Sequence, residues 1–296
     1  MTRLITDWIS DMEENAADWN EQLKDYTGMG YIELAAAVSG TDVSDILNAS
    51  ETIAVAAVPV TCGEGVIGNF AESVAAIVRA MGFKAFVTES TDVDGLYEAK
   101  VRDAGIVFMA DDFRYVALNL INGKMSENNM ATAYGYAEIM RNMAGARDGG
   151  MTGALNDKPV AVLGYGIVGQ LMAERLASHG ARVAVYEKDE TKKAQVNSDG
   201  YLWINRKEIA EYNLVADATC EGGWLSADEL HDESSVLIAA PGIPLLLDEE
   251  SANKLEGRYI HDMLEIGTAV MLGMVMQKGH TIGSSGIASA FDRTFP

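Results

Sequence analysis

The chain has 296 residues, of which 48% are hydrophobic and 22% are charged, a balance typical of a globular protein with a core large enough for two modest domains. Lysine and arginine total 22 against 44 aspartates and glutamates, which gives a formal net charge of −22. A field of this sign repels nucleic-acid phosphates and anionic lipid, so we expect neither nucleic acid nor a membrane as a partner. The acidity indicates either a solvated surface or a local attraction for a cationic small molecule.

No targeting or membrane-spanning segment is recognisable. The first ten residues include Asp7 and Trp8 without a signal-like apolar core, and no run approaches the ~20 apolar residues of a membrane span. Cys62 and Cys220 are the only cysteines, and neither belongs to a CxxC or Cys/His ligand pattern. The sequence therefore predicts a cytoplasmic, reduced protein without disulfides or a bound metal.

The first half of the chain predicts helices followed by an α/β region. Residues 1–50 are expected to be helical, because large apolar side chains recur at steps of three, four or seven. These side chains are Trp8, Met12, Trp19, Leu23 and Tyr26. A strand is then predicted at 53–60, a glycine turn at 63–68, a helix at 69–81 and a strand at 85–88.

A further apolar run, at 105–110, stops at Asp111 and Asp112, as a buried strand stops at a functional edge. A polar stretch at 119–129 leads into a long helix, expected at 131–143. The glycine-rich segment 145–150 is the predicted linker between domains.

The second half predicts strands that alternate with helices. The strands are expected at 160–163, 182–186, 214–219 and 236–240, with a helix at 167–179 that Gly180 ends. This alternation is typical of a doubly wound parallel sheet. The segment 267–277 is predicted to be an apolar helix with three methionines in the core, and 279–296 a Gly/Ser-rich tail. The methionines are Met271, Met274 and Met276.

The spacing G-x-G-x-x-G occurs twice, each time after a predicted strand and before a helix. The first copy comprises Gly63, Gly65 and Gly68, and the second comprises Gly164, Gly166 and Gly169 with Tyr165, Ile167 and Val168 between them. Pyrophosphate is held over such a turn by backbone N–H groups and the positive end of the helix, so the carboxylate of Glu64 argues against the first copy. We therefore predict that the second copy binds a dinucleotide and that the first serves the other domain.

The acid that a dinucleotide site requires follows the second copy. Glu187 comes directly after the predicted strand 182–186, where its carboxylate can accept both ribose hydroxyls. It would repel a 2′-phosphate, and only Lys188 follows it, so NAD is predicted rather than NADP. Thr219 and Pro241 follow the next strands and either border the nicotinamide or belong to ordinary strand-to-loop turns.

Two further groups of polar residues leave alternatives open. Asp111 and Asp112 either cap a following helix or grip an ammonium group. The histidines show no metal-ligand spacing and are expected to be surface residues and not catalysts, His261 least so because it precedes Asp262 near the edge of the second sheet. They are His179, His231, His261 and His280.

The predicted fold class is α/β, a Rossmann-type doubly wound parallel sheet at the C-terminal side with an N-terminal helical plus α/β domain. The predicted domains are a substrate-side domain at 1–150 (helical to 50, α/β at 51–143, linker to 150), a Rossmann NAD-binding domain at 151–265, and a C-terminal helix and tail at 266–296. A homodimer formed through the apolar helix 267–277 is a further hypothesis.

Five blocks outside the cofactor turn carry a resemblance to a known family. They are 58–73 (VPVTCGEGVIGNFAES), 109–112 (MADD), 119–124 (NLINGK) with Asn128 and Asn129, 241–244 (PGIP) and 266–269 (IGTA). Through most of residues 58–272 the sequence resembles the pyrrolysine synthase family (the PylD proteins). The first block is more specific than a nucleotide fingerprint, because it lies outside the cofactor domain.

The resemblance implies a substrate made of lysine joined through its Nε to 3-methyl-D-ornithine. The family oxidises the terminal amine of the ornithine part by hydride transfer to NAD, loses ammonia, and closes a pyrroline ring to give pyrrolysine. It implies a substrate pocket between the two domains, formed by Leu4, Thr61, Cys62, Asp111, Asn128 and Asp262. Asp111 and Asp262 are the implied catalytic residues, as anchors of the ammonium group or as its general base.

Three positions depart from the family pattern. Cys62 stands in place of Ser, Asp262 in place of Glu, and Glu265 in place of Gly beside the pocket wall, and residues 276–296 extend past the usual end. Two other functions remain open. One is another NAD-dependent amino-acid or imine dehydrogenase on a scaffold like that of dipicolinate synthase or shikimate dehydrogenase, and the other is a non-catalytic NAD-binding sensor.

Overall fold

A computed structural model describes residues 4–150, 152–230 and 234–277. His231, His280 and the tail 279–296 lie outside these residues, so the expectations about them stay predictions. Within the described ranges, no helix is both long and apolar enough to cross a membrane.

The N-terminal half begins with helices and continues as alternating strands and helices. A short 3-10 helix, Thr6–Trp8, precedes α1 (Met12–Thr27), α2 (Tyr31–Ser39) and α3 (Val43–Thr52). The α/β part comprises β1 (Ala54–Val58), α4 (Phe70–Ala80), β2 (Lys84–Val87), α5 (Asp92–Val101), β3 (Ala104–Ala110), β4 (Tyr115–Asn119) and β5 (Met125–Glu127). The predicted strands of this half and the helix predicted at 69–81 are confirmed to within two residues, and the region 1–50 is helical as three helices, whereas α5, β4 and β5 were not predicted.

The five strands form one mixed sheet in the order β2-β1-β3-β4-β5. β1 runs parallel to β2 and β3, while β4 runs antiparallel to both β3 and β5. Because β1 and β3 are parallel neighbours, the chain leaves both at the same edge of the sheet. The first glycine turn and the Asp111–Asp112 pair therefore lie side by side.

Helix α6 (Asn128–Asp148) corrects the predicted linker. The side chain of Glu127 caps its start by accepting from the backbone N of Asn129 at 3.0 Å, and the helix ends on Gly149, whose φ is +79°. Residues 145–148 are therefore helical, because packing of α6 against the second half outweighs the ~1 kcal/mol that a glycine costs within a helix. The division of domains near residue 150 stays a prediction.

The second half contains the predicted strands and helix. Its elements are β6 (Pro159–Leu163), α7 (Ile167–Ser178), β7 (Arg182–Tyr186), α8 (Lys193–Ser198), β8 (Leu202–Trp203), β9 (Leu214–Asp217), β10 (Leu237–Ala239), α9 (Glu249–Lys254) and β11 (Tyr259–Ile260). They form a parallel sheet in the order β11-β10-β9-β6-β7-β8. This is the Rossmann order, which confirms the predicted fold class and places a crevice at the carboxyl ends of β6 and β9.

The last described helix, α10 (Glu265–Met276), returns to the N-terminal half and packs against α2, α4 and α6. Met271 is fully buried, and Met274 and Met276 pack against the same core, as predicted. Helices of the same chain cover much of the segment 267–277, and the homodimer through it stays a prediction.

Candidate active site

A cleft of about 390 Å³ lies where the carboxyl ends of the two sheets meet. The N-terminal half contributes the turn after β1, the end of β3 and the start of α6. The second half contributes the second glycine turn, the loops after β9 and β10, and the segment before α10. The predicted site residues that line this cleft are Leu4, Asp111, Asn128, Gly166, Ile167, Val168, Thr219, Pro241 and Asp262.

The second glycine turn has the geometry that a pyrophosphate requires. A Cβ on Gly169 would lie 2.1 Å from the backbone oxygen of Gly164, so α7 begins directly against the turn. Gly166 has a φ of −78°, and a Cβ there would meet no atom within 4 Å. Open space in front of the unsatisfied N–H groups of a helix start is what a phosphate fills. The turn therefore fits a dinucleotide.

Glu187, at the end of β7, is hydrogen-bonded to this turn. Its Oε2 accepts from the backbone N of Tyr165 at 2.8 Å, and its Oε1 accepts from the backbone N of Asp189 at 3.0 Å. The Nζ of Lys192 lies 3.4 Å from Oε2 and also donates to the Tyr165 oxygen at 3.2 Å. Burial favours a higher pKa for Glu187, but the two N–H groups and Lys192 outweigh it and lower the pKa. Glu187 is therefore an anion beside a lysine at neutral pH.

The side chain of Tyr165 is turned away from the cleft. It is buried, and its hydroxyl donates to Oδ2 of Asp199 at 2.8 Å. The side chain thus ties the turn to the end of α8 and is not among the residues that line the cleft.

Asp217 ends β9 as a fully buried aspartate below the crevice. Its Oδ1 accepts from the backbone N of Thr219 at 3.0 Å and from the Thr219 hydroxyl at 2.7 Å. Its Oδ2 has no hydrogen-bond partner in the described part of the chain, and a Cβ on Gly242 would lie 2.6 Å from it. Burial raises the pKa of Asp217 to about 7, against the effect of the Thr219 hydrogen bonds. Asp217 thus fixes the position of Thr219 at the edge of the cleft.

Asp111 and Asp112 stabilise turns and do not start a helix, so the helix-cap alternative is wrong. Oδ1 of Asp111 accepts from the backbone N of Phe113 at 2.8 Å and of Arg114 at 2.7 Å. Oδ2 of Asp112 accepts from the backbone N of Glu64 at 2.7 Å and so holds the first glycine turn. Both aspartates line the cleft, which places two carboxylates on its N-terminal wall.

Two residues that the resemblance implied for the pocket lie outside the residues that line the cleft. Thr61 is exposed, and its backbone N and hydroxyl donate to the carboxylate of Asp92 at 2.8 and 2.6 Å. These hydrogen bonds lower the pKa of Asp92. Cys62 is an exposed free thiol. The structure brings neither residue together with Asp111 and Asp262.

Asp262 lies in the cleft wall just before α10 and is only 8% exposed. Its Oδ1 accepts from the hydroxyl of Tyr136, and its Oδ2 accepts from the backbone N of Ile266 at 2.6 Å. Burial, with the nearby charge of Asp262, raises the pKa of Tyr136 well above its usual range. The phenol therefore stays protonated and donates, and the start of α10 adds a favourable dipole for the anion.

The two histidines that the structure describes are half-buried, which corrects the surface expectation for His179 and agrees with the exception made for His261. The Nδ1 of His261 lies 2.9 Å from the Ala240 oxygen, and the Nε2 of His179 lies 3.6 Å from the carboxylate of Glu138. Burial lowers the pKa of both rings. Across the described ranges, no three His, Cys, Asp or Glu side chains are arranged to hold a metal ion.

Comparisons with known proteins show the family of this chain. Residues 8–126 match the family described as "Pyrrolysine biosynthesis protein PylD, N-terminal domain". The chain is 36% identical over 245 residues to pyrrolysine synthase of Methanosarcina barkeri, with 81% of this chain and 89% of that protein covered. It belongs to the pyrrolysine synthase family. The family member from Methanosarcina acetivorans is 36% identical over 220 residues, with 74% and 81% covered.

A solved structure with a similar layout is shikimate 5-dehydrogenase from Thermus thermophilus in complex with NADP(H) and shikimate. It is 15% identical to this chain, covers 82% of it and 100% of its own length, and has a TM-score of 0.45. The fold class rests on the strand order given above.

Three features of the site were not predicted from the sequence. Lys192 lies five residues after Glu187, and a lysine this close in sequence to a predicted site acid is a signal that could have revealed it. The hydrogen bond of Tyr136 to Asp262 has no local sequence signal, since it depends on how α6 and α10 pack. The contact of Glu265 with Asp262 is local, because the two residues are three positions apart, and that spacing is the signal that could have revealed it.

Proposed function

We propose that this protein oxidises the terminal amine of lysine-Nε-3-methyl-D-ornithine with NAD as cofactor, and that ammonia loss and ring closure then give pyrrolysine. Membership of the pyrrolysine synthase family supports this proposal. The observation that carries it is a single cleft lined both by the cofactor turn and by acidic residues of the substrate side. An acidic wall suits a substrate that carries ammonium groups.

The cofactor roles follow from the turn and the crevice. The turn at 164–169 and the start of α7 would hold the pyrophosphate, Glu187 the ribose, and Thr219 and Pro241 the nicotinamide. NAD, when bound, supplies the hydride acceptor.

The substrate roles follow from the charge of the amine. A hydride leaves a carbon readily only after the attached ammonium has lost a proton. Asp111 and Asp262 would anchor that ammonium by charge-assisted hydrogen bonds, and relay of its proton to water is their second role. Asn128 and Leu4 complete the wall on this side.

The later steps need only water. Oxidation removes a hydride from the carbon and a proton from the nitrogen, which leaves an imine. Water adds to the imine and ammonia leaves, so that a semialdehyde remains. The α-amine then condenses with the aldehyde carbon, and loss of water closes the pyrroline ring.

We expect the purified protein with NAD and the lysine-methylornithine conjugate to form reduced nicotinamide and a pyrroline product in equal amounts. The measurements are absorbance of the reduced cofactor and mass of the product, with lysine alone as the control. Binding of NAD with no reduction at any conjugate concentration would contradict the proposal and favour an NAD-binding sensor. Reduction with other amino acids but not with the conjugate would favour another amino-acid or imine dehydrogenase.

Glu187→Gln is expected to shift cofactor preference from NAD towards NADP. The amide oxygen can still accept from Tyr165, but the charge that repels a 2′-phosphate is gone. Lys192, whose Nζ lies 3.4 Å from Glu187, then loses this ion-pair partner and can pair with that phosphate, whereas Lys188 is already paired with Glu221. We expect the ratio of KM for NADP to KM for NAD to fall by about tenfold, or about 1.4 kcal/mol.

The control for this prediction is the double variant that adds Lys192→Gln. It should lose the gain in NADP use, because no cation then faces the 2′-phosphate. An equal gain in the single and double variants would show that Lys192 does not reach the phosphate.

A further inference from the structure

Two carboxyl groups meet at the start of α10. Asp262 and Glu265 are 8% and 6% exposed, and both carboxyl groups turn to the same helix start, where Asp262 accepts from the backbone N of Ile266 and Glu265 from the backbone N of Leu264. Only Asp262 lines the cleft, so Glu265 lies behind it. Neither the amine anchoring nor the cofactor site proposed above uses Glu265.

The groups around this pair supply hydrogen bonds but no positive charge. Oε2 of Glu265 accepts from the backbone N of Leu264 at 2.9 Å and of Met263 at 3.3 Å. The titratable neighbours are Tyr136 on α6, Tyr31 on α2 and His261 before the pair. Burial raises the pKa of both tyrosines and lowers that of the histidine, which leaves all three neutral near pH 7. No lysine or arginine is among the partners that the described residues provide to Glu265.

Two adjacent carboxyl groups without a cation cannot both ionise in a buried site, because each charge opposes the other and both lose hydration. The proton resides on Glu265. Burial, and then the charge of Asp262, raise its pKa to about 8. Both oxygens of Asp262 accept a hydrogen bond, one from Tyr136 and one from the start of α10, whereas the two backbone bonds to Glu265 both go to its Oε2 and leave Oε1 to carry the proton.

We propose that Asp262 and Glu265 form a carboxyl pair that holds one proton on Glu265, and that Glu265 is a positioning residue which presents Asp262 to the substrate amine as an oriented anion. The pair delivers a single negative charge to this wall of the cleft, although two acids are buried there. The presentation of Asp262 to the substrate amine rests on the proposed function, whereas the shared proton does not.

The shared proton is tested by the pH dependence of stability, which needs no activity. The ordinary pKa of the Glu265 side chain is 4.5 and the folded value is about 8, so between these values the folded chain holds a proton that the unfolded chain has lost. The stabilising contribution is complete below pH 4.5 and is lost as the pH rises through about 8. The folded-to-unfolded ratio attributable to this group falls up to about tenfold per pH unit in that window.

The measurement is the urea midpoint at pH 5, 6, 7 and 8 for the wild type, Glu265→Gln and Glu265→Asp. Glu265→Gln cannot titrate and is expected to lose this part of the pH dependence. Glu265→Asp keeps a carboxyl group and is expected to retain it. The contribution of Asp217, whose pKa is about 7, is common to all three chains. Equal slopes in the wild type and Glu265→Gln would overturn the proposal.

A second variant keeps the test decisive if Glu265→Gln does not fold. Asp262→Asn removes the neighbouring charge, so Glu265 should lose its proton at a lower pH and the pH-dependent window should narrow. If stability falls over the same pH range in Asp262→Asn as in the wild type, the shared proton is overturned.

The role in positioning is tested by separating KM from kcat. Ionisation of Glu265 above pH 8 adds a second negative charge beside the ammonium. Between pH 7 and 9, KM for the conjugate should therefore fall severalfold more in the wild type than in Glu265→Gln, while kcat should change by the same factor in both chains. An equal fall in both chains would overturn the positioning role. A difference in stability slopes together with no amine oxidation by either chain would support the shared proton and contradict the proposed function.

Discussion

Gly166→Ala is expected to abolish NAD binding while the fold stays intact. A Cβ at Gly166 would meet no atom within 4 Å, and the φ of −78° is one that alanine adopts freely. The methyl group would instead occupy the space over the helix start where the pyrophosphate lies. We expect the Kd for NAD to rise at least about 100-fold, or about 2.7 kcal/mol, with an unchanged Tm.

Two other glycine variants serve as controls for this prediction. In Gly169→Ala the Cβ would lie 2.1 Å from the Gly164 oxygen, so the turn itself must shift and the Tm should fall together with NAD affinity. Gly65→Ala, in the first glycine motif, has open space but a φ of +88°, so it should cost about 1 kcal/mol of stability and leave NAD affinity unchanged. Calorimetric titration with NAD and thermal unfolding measure both quantities. Wild-type NAD affinity in Gly166→Ala would show that the pyrophosphate does not lie over this turn.

The second half of the fold could be predicted because its signals are local. The predicted strand 182–186 coincides with β7, and the other predicted strands differ from the structure by at most two residues at either end. Buried parallel strands are short apolar runs, and the glycines between them mark helix starts and stops. Each signal therefore needs only neighbouring residues.

Helix α5 could not be predicted because its apolar pattern is inverted. Val93, Tyr97 and Val101 recur at helical spacing but are 79%, 72% and 64% exposed. The face turned to the sheet instead contains Gly95, where a Cβ would lie 2.5 Å from a Val58 methyl group. Close packing on β1 thus selects a glycine at the position where periodicity expects a large side chain.

The sequence could predict part of the cleft lining, although not the outlying positions of Thr61 and Cys62, and it could not predict the hydrogen bonds of the site. The glycine spacing, Glu187 and the family blocks indicate which residues surround the cleft. Tyr136 and Asp262 are 126 residues apart, and Glu64 and Asp112 are 48 apart. Such pairs form only when two elements pack. The sequence therefore contains no local signal that Asp112 holds the first glycine turn or that Asp262 accepts from Tyr136.

Asp111→Asn is expected to reduce turnover of the lysine-methylornithine conjugate strongly and to leave NAD affinity within about twofold. Oδ1 of Asp111 accepts from the backbone N of Phe113 and Arg114, and an asparagine oxygen can take the same two bonds. The turn is therefore kept, while the charge that would anchor the ammonium is lost. Loss of one charge-assisted hydrogen bond in a cleft costs about 2–3 kcal/mol, so kcat/KM should fall about 30- to 150-fold.

The matched control is Asp112→Asn, which removes the same charge from the next residue of the same wall. Oδ2 of Asp112 is engaged by the backbone N of Glu64 at 2.7 Å, so this carboxylate holds the first glycine turn and its replacement should reduce kcat/KM less than tenfold. Equal losses in the two variants would mean that the wall acts through its summed negative charge and not through a hydrogen bond from Asp111. A parallel loss of NAD affinity in Asp111→Asn would place this residue on the cofactor side, because a residue that contacts only the amine has no means of weakening the free enzyme's hold on NAD.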